Sequence, residues 1–329
     1  MKCIVKKCSI LFAAFIFSAG IIGCGDEIVL EQQYDTFDTT EKYGIGVQSV
    51  SSDAAFFATE LCVGGNENMV DEKITADLSE ASALFCLEEG SVSYANNIHD
   101  KLYPASTTKI LTAYVALKYG NPQDTAVVSE EALQLEEGST VCGVSVGDTI
   151  SLEQLLYGLM LCSGNDAANV IAEMISGSVE EFAALMNQEA QALGATNSHF
   201  VNPHGLHDEN HYTTAYDLYL IFQKALEDDL FCQLISTQNY QAQFLNSQNE
   251  TITKEWSNTN QYLTGAQEVP DGVTVIGGKT GTTNDAGNCL VLYSKNSAGK
   301  PHISIVLKAD GRDNLYYLMS ELLEKSEKN

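Results

Sequence analysis

The chain is 329 residues long and 44% apolar, enough to bury one large core or two modest ones, and its composition is neither fibrous nor disordered. Its 17 basic against 44 acidic residues give a formal net charge of −27. A surface of that sign repels phosphate backbones, so nucleic acid is excluded as a partner.

Lys2, Lys6 and Lys7 open the chain as a basic segment, and an apolar run from Ile10 to Ile22 follows, too short to span a bilayer comfortably. The stretch ends Ile21-Ile22-Gly23-Cys24, which resembles a bacterial lipoprotein cleavage box. Residues 1–24 are therefore expected to be a lipoprotein-type signal, with the Cys24 thiol taking the lipid that ties the mature chain to the membrane. Residues 25–50 are polar and acidic and read as a tether. Beyond Cys24 stand six cysteines, Cys62, Cys86, Cys142, Cys162, Cys232 and Cys289. Their wide spacing forms no disulfide framework, and no C-x-x-C pair invites zinc or redox chemistry. Cys86 and Cys289 lie in apolar, strand-like runs and are expected to be buried thiols.

The globular part is expected over residues 51–325. Ser82–Asn96 reads as a hairpin around Glu88-Glu89-Gly90. Pro104 announces a helix over Thr107–Tyr119, stopped by Gly120. Leu152–Leu161 and Asn165–Ile175 are two more helices, followed by amphipathic helices over Val179–Leu193 and Thr214–Leu226. Val273–Thr280 reads as a strand, Cys289–Tyr293 and His302–Leu307 as a second hairpin, and Asn314–Leu323 as a closing helix. Strands at both ends with helices between predict an α+β fold: an antiparallel sheet built from both termini, flanked by helices, with an inserted helical lobe.

Three short motifs carry chemistry. Ser106-Thr107-Thr108-Lys109 places a hydroxyl and an amine one helical turn apart, at a helix mouth whose free N–H groups favour developing negative charge. Ser106 is the candidate nucleophile and Lys109 its base, provided that burial and a second cation keep the amine neutral part of the time. In Ser163-Gly164-Asn165, between two apolar helices, Ser163 could relay a proton while Asn165 orients Lys109 and a substrate amide. Lys279-Thr280-Gly281 ends a strand. Lys279 supplies the second cation, the Thr280 hydroxyl can bind a carboxylate, and glycines 277, 278 and 281 keep the strand bare for a peptide. The Ser106 and Thr282 N–H groups are the candidate oxyanion hole. Two motifs have decoys: Ser297-Ala298-Gly299-Lys300, Ser247-Gln248-Asn249 and Ser294-Lys295-Asn296 all fall in polar turns. Four histidines, His199, His204, His207 and His211, have zinc-like spacing, but Pro203 and Gly205 put them in a loop without an obvious fourth ligand, so no metal and no cofactor is expected.

Taken with their flanks, Pro104–Lys109, Ser163–Ala168 and Gly278–Gly281 resemble the low-molecular-mass penicillin-binding proteins, the serine D-Ala-D-Ala carboxypeptidases. His199–Leu206, His211–Asp217 and Ala286–Val291 fit that family too, so the resemblance covers about Ser82 to Leu323. It implies a β-lactamase/DD-peptidase-like fold and removal of the terminal D-Ala from peptidoglycan stem peptides through an acyl-enzyme on Ser106. β-Lactams would then be covalent inhibitors. The resemblance also implies that Arg312 holds the substrate's terminal carboxylate. Two departures stand out. Family members often continue into a β-rich domain and an amphipathic anchor, which this chain, ending at Asn329, is not expected to carry; Thr282 stands where they often have Tyr or His. The competing readings are a class A-like β-lactamase, which needs a glutamate-activated water, and a catalytically idle β-lactam sensor or wall-binding scaffold.

Overall fold

The computed structural model describes residues 61–328. The expected signal, Cys24 and the tether lie outside these residues. Among the described residues no helix is long and apolar enough to cross a membrane.

The centre is a five-stranded, wholly antiparallel sheet of β1 (Ser79–Cys86), β2 (Ser91–Asn96), β7 (Thr274–Thr283), β8 (Gly287–Lys295) and β9 (Pro301–Ala309), in the order β2-β1-β9-β8-β7. The two hairpins expected from sequence are both present, and β1 of the first pairs with β9 of the second, Ala83 opposite Ile305. Alternation along these strands feeds two apolar layers. Ala83, Phe85, Val291, Ile303 and Ile305 face the helical block, whereas Leu84, Leu290, Leu292 and Val306 face the last helix, α8 (Arg312–Ser326). Cys86 and Cys289 are buried thiols as expected, and no disulfide joins the six cysteines of the described chain.

The helical block holds α1 (Lys109–Tyr119), α2 (Leu152–Met160), α3 (Asn165–Ser176), α4 (Val179–Ala192), α5 (Ala215–Ala225) and α6 (Asp229–Ser236). Their starts are written in the sequence: Ser151, Ser178, Thr214 and Asp228 each accept an N–H of the first turn through a side-chain oxygen. α1 is apolar nearly all round, with Ile110, Leu111, Ala113, Val115 and Ala116 buried, and so forms the axis of the block. α5 packs on β1 and β9, locking block and sheet together.

Neither α6 nor a second sheet was expected from sequence. A second antiparallel sheet, β3 (Thr125–Val127), β4 (Thr149–Ser151), β5 (Asn239–Leu245) and β6 (Thr251–Ser257), lies against α2, where Tyr240 stacks on Tyr157, with the single helical turn α7 (Gln261–Thr264) after it. Its strands are short or half-exposed and polar, so they carry little hydrophobic signal.

Candidate active site

Ser106 lies in a single 3-10 turn, Ala105–Thr108, that runs straight into α1, so the helix expected over Thr107–Tyr119 is present with a tighter first turn. The turn is strained. Ala105 has φ 48°, in the left-handed region that a side chain disfavours. What holds it is the 202–206 loop behind it. Gly205, at φ 87°, lies so close that a Cβ there would sit 1.8 Å from the Ala105 carbonyl oxygen and 2.8 Å from Thr108 Oγ1. Asn202 folds that loop by accepting the Gly205 N–H at 2.7 Å and donating to the Leu206 carbonyl at 3.0 Å. A Gly205→Ala variant should therefore lose about 3 kcal/mol of stability, from φ strain together with the forced displacement of the Ser106 turn. A denaturant midpoint within error of wild type would contradict this.

Lys109 is completely buried, and its ammonium donates to three oxygens: Ser106 Oγ at 2.9 Å, Asn165 Oδ1 at 2.7 Å and the His204 carbonyl at 2.8 Å. Burial first, and the nearby Lys279 charge second, hold its amine well below the ordinary lysine range; Asp166 and Cys162 act in the opposite direction. Lys279, from β7, donates to Ser163 Oγ at 3.0 Å and to the Thr280 carbonyl at 2.9 Å. Burial pushes it down to about 7, with the Cys162 thiol opposing. All five candidate catalytic residues thus meet, joined as Ser106–Lys109–Asn165 and Ser163–Lys279.

Ser163 sits at the turn between α2 and α3 with φ 63°, a second non-glycine residue in the left-handed region. Gly164 next to it has no room for a side chain: a Cβ would lie 2.7 Å from Asp166 Oδ1 and 2.9 Å from Cys142 Cβ. An aspartate at this position, usual in the second motif of class A β-lactamases, would not fit.

The cleft in front of these residues has a volume of about 330 Å³. Ser106, Ser163, Thr280, Gly281, Thr282 and Arg312 all line it, so the proposed substrate-side residues share one space with the candidate nucleophile. Arg312 is exposed at the first residue of α8, which begins two residues earlier than the sequence indicated. Thr282 Oγ1 donates to Asn288 Oδ1 at 3.3 Å, while the Thr280 and Thr259 hydroxyls lie 2.6 Å apart. Thr140, Thr259 and Tyr316 also line the cleft, and none belongs to a motif the sequence could single out.

The glycines of β7 need a correction. They were expected to keep the strand bare for a peptide, but the spaces where their Cβ atoms would sit are filled by protein. At Gly277 the Ile235 carbonyl would be 2.2 Å away, at Gly278 the Val291 carbonyl 2.0 Å, and at Gly281 the Ser106 nitrogen 2.9 Å. Gly281 lets the strand approach the Ser106 turn. What leaves room for a peptide is topology, because among the described residues β7 is an edge strand with no strand paired on its outer side.

The histidine loop serves the site from behind. His211 Nδ1 accepts the Val201 N–H at 3.2 Å, which places its proton on Nε2, 2.8 Å from Thr108 Oγ1. His204 Nδ1 accepts the Leu206 N–H at 3.1 Å. Burial pushes His211 down to about 4 and His204 well below its ordinary value, so both are neutral near neutral pH. His207 instead stacks edge-on against Tyr103. The contribution of the loop to the site was not foreseen: the His204 carbonyl takes one proton of Lys109, and a main-chain group leaves no trace in a motif.

Comparison with known proteins gives the family. The family described as D-alanyl-D-alanine carboxypeptidase matches residues 69–311. The chain is 35% identical over 235 residues to D-alanyl-D-alanine carboxypeptidase DacF of Bacillus subtilis (strain 168), covering 68% of this chain and 57% of that one. It is 36% identical over 207 residues to D-alanyl-D-alanine carboxypeptidase DacB2 of Mycobacterium tuberculosis, covering 62% and 66%. The chain thus spans roughly three-fifths of the length of these curated relatives. The crystal structure of the Streptomyces K15 DD-transpeptidase superposes with a TM-score of 0.71 at 27% identity, covering 77% of this chain and 98% of that one. With the three motifs meeting around two buried lysines, Lys109 and Lys279, and a family match over residues 69–311, the chain belongs to the D-alanyl-D-alanine carboxypeptidase family.

Proposed function

We propose that the protein is a serine D-Ala-D-Ala carboxypeptidase that removes the terminal D-Ala from peptidoglycan stem pentapeptides and is acylated by β-lactams. The observation that carries this is the hydrogen-bonding of Lys109. Two of its three partners, Asn165 Oδ1 and the His204 carbonyl, can only accept. A neutral amine has two protons and one lone pair. It would give both protons to those acceptors and aim the lone pair at the hydroxyl of Ser106, 2.9 Å away.

The steps then balance. Ser106 Oγ attacks the peptide carbonyl and its proton passes to Lys109 Nζ. The N–H groups of Ser106 and Thr282 face the developing oxyanion. As the C–N bond breaks, the D-Ala nitrogen takes the proton of Ser163 Oγ, which is replenished from the Lys279 ammonium bonded to it. Lys279 regains that proton from the Lys109 ammonium, which leaves Lys109 neutral again. Water then gives Lys109 a proton as it attacks the ester, and Lys109 returns that proton to Ser106 Oγ as the ester bond breaks. Arg312 and the Thr280 hydroxyl hold the terminal carboxylate in the same cleft.

Lys279 must be charged in this scheme and Lys109 neutral, so the sign of the pH dependence is fixed. With Lys279 losing its proton at about 7, kcat/KM should fall as pH rises through that value. It should rise with pH at the acid side as Lys109 becomes neutral. A profile that stays flat well into the alkaline range would show that the Lys279 charge is not used.

The competing β-lactamase reading requires a carboxylate to activate water. No carboxylate lines the cleft among the described residues, and the position behind Lys109 is taken by the His204 carbonyl. Nitrocefin turnover should accordingly be slow. An idle sensor would bind penicillin without releasing D-Ala. Incubation of a stem pentapeptide with the enzyme, read by mass, decides: loss of one alanine supports the assignment and an unchanged pentapeptide overturns it.

The site is proposed to work outside the cell membrane, in a peptidase domain of residues 51–325 tethered by residues 25–50 to a lipidated Cys24. Lys2, Lys6, Lys7 and the apolar run before Cys24 support this.

A further inference from the structure

Asp166 is buried next to the second motif, yet it touches neither lysine. Its carboxylate gathers consecutive amides of the segment that leads from the cleft wall to β4: Cys142 N–H at 2.8 Å on Oδ1, and Gly143 N–H at 2.8 Å and Val144 N–H at 3.3 Å on Oδ2. Oδ1 also takes the N–H of Ala167 at 2.9 Å, in the first turn of α3, where the helix dipole favours an anion. Four donors converge on one side chain.

The segment so gathered is tied to the site at two further points. The Asn165 N–H donates to the Thr140 carbonyl at 2.8 Å, and Thr140 itself lines the cleft opposite β7. From the outer side, Trp256 Nε1 donates to the Cys142 carbonyl at 2.9 Å. Trp256 in turn stacks on Tyr240, and Tyr240 on Tyr157 of α2. The strained Ser163 turn is thus held between the Asp166 carboxylate and the segment it binds, with Gly164 filling the gap.

We propose that Asp166 is a positioning residue for this site: its carboxylate binds the 142–144 amides to the second motif and thereby sets Ser163 and Asn165 against Lys279 and Lys109. The inference rests on the carboxypeptidase reading above and adds to it a residue that never meets substrate. Asp166 also has an electrostatic consequence that a purely structural strut would lack. The titratable groups around Lys109 are Lys279 from β7, Asp166 from α3, Cys162 from the turn before it, and His204 and His211 from the loop behind. Of these, Asp166 and Cys162 favour the ammonium, the Asp166 carboxylate more than the Cys162 thiol.

Asp166→Asn tests both parts. It keeps the size of the side chain but turns an NH₂ group towards the Gly143 and Val144 N–H groups, donor against donor. Acylation by a fluorescent penicillin should slow about a hundredfold, the cost of a misplaced catalytic group. The acid limb of the acylation profile should move to lower pH, since losing the nearby anion makes Lys109 easier to deprotonate. Amide hydrogen exchange at residues 142–144 should rise, whether or not the protein is an acylating enzyme. A folded variant that labels within threefold of wild type, or slows with its acid limb unmoved, overturns the proposal. If Asp166→Asn fails to fold, Trp256→Phe decides. It removes one neutral donor to the same segment and should slow acylation several-fold with the limb in place, and an unchanged rate counts against the proposal. Wild-type protein that takes no penicillin label defeats the carboxypeptidase reading instead, and the exchange experiment still tests the Asp166 clamp.

Discussion

A Ser106→Ala variant should take no covalent label from a fluorescent penicillin and release no D-Ala, while melting close to wild type. The chemical half follows from the nucleophile's being the atom that forms the ester. The structural half follows from its contacts. Ser106 is only half-buried, and its Oγ shares one hydrogen bond with Lys109. Without it, Lys109 keeps the Asn165 and His204 oxygens. The loss in stability should stay near 1 kcal/mol, the usual worth of one hydrogen bond. Denaturing gel fluorescence of both proteins is the measurement, and wild-type labelling of the variant would remove Ser106 from its assigned role.

Lys109→Met should have the next largest effect. Methionine fills a similar volume without a base, so the acylation rate should fall by about 10²- to 10⁴-fold, the range general-base catalysis supplies. The acid limb should vanish with it, since the group that titrates there is gone. Stability is a balance. The Asn165 and His204 oxygens lose their donor, which costs about 1–3 kcal/mol each if they stay dry. Against this, an amine held far below its ordinary pKa by burial is itself a strain on the fold, and removing it gives some of that back. Stopped-flow acylation alongside a denaturant melt separates the two contributions. A variant that folds and acylates within tenfold of wild type would mean that another group takes the proton from Ser106.

The five-stranded sheet, the long helices and the grouping of the candidate site residues were legible in sequence because each has a local cause. Ser151, Ser178 and Thr214 cap helices, Ala83-Leu84-Phe85 alternates between faces, and Ser106 and Lys109 are one turn apart. What stayed hidden depends on partners far along the chain. Gly281 looked like a place for substrate, but the atom it spares is the Ser106 nitrogen. The His204 carbonyl and the Thr140 carbonyl act through main chain, which no residue type reveals. Asp166 stood in the middle of a quoted motif, yet its work is done on amides 142–144, and those belong to a segment with no pattern of its own. The β5–β6 hairpin faces water with polar residues on most positions, so its strands lack the apolar run that marks those of the central sheet.

The pairing of β1 with β9 also bears on how the molecule comes into being. Ala83 waits for Ile305, and until residues 301–309 arrive the first hairpin has one side of its sheet missing. Closing so long a loop is slow, because its entropy is lost before any contact rewards it. A chain passing a membrane as an extended thread would therefore stay unfolded, and fit to pass, until nearly its last helix had emerged. Ser106 and Lys279 would not meet before then, so a stalled or truncated chain would carry the nucleophile without a working site.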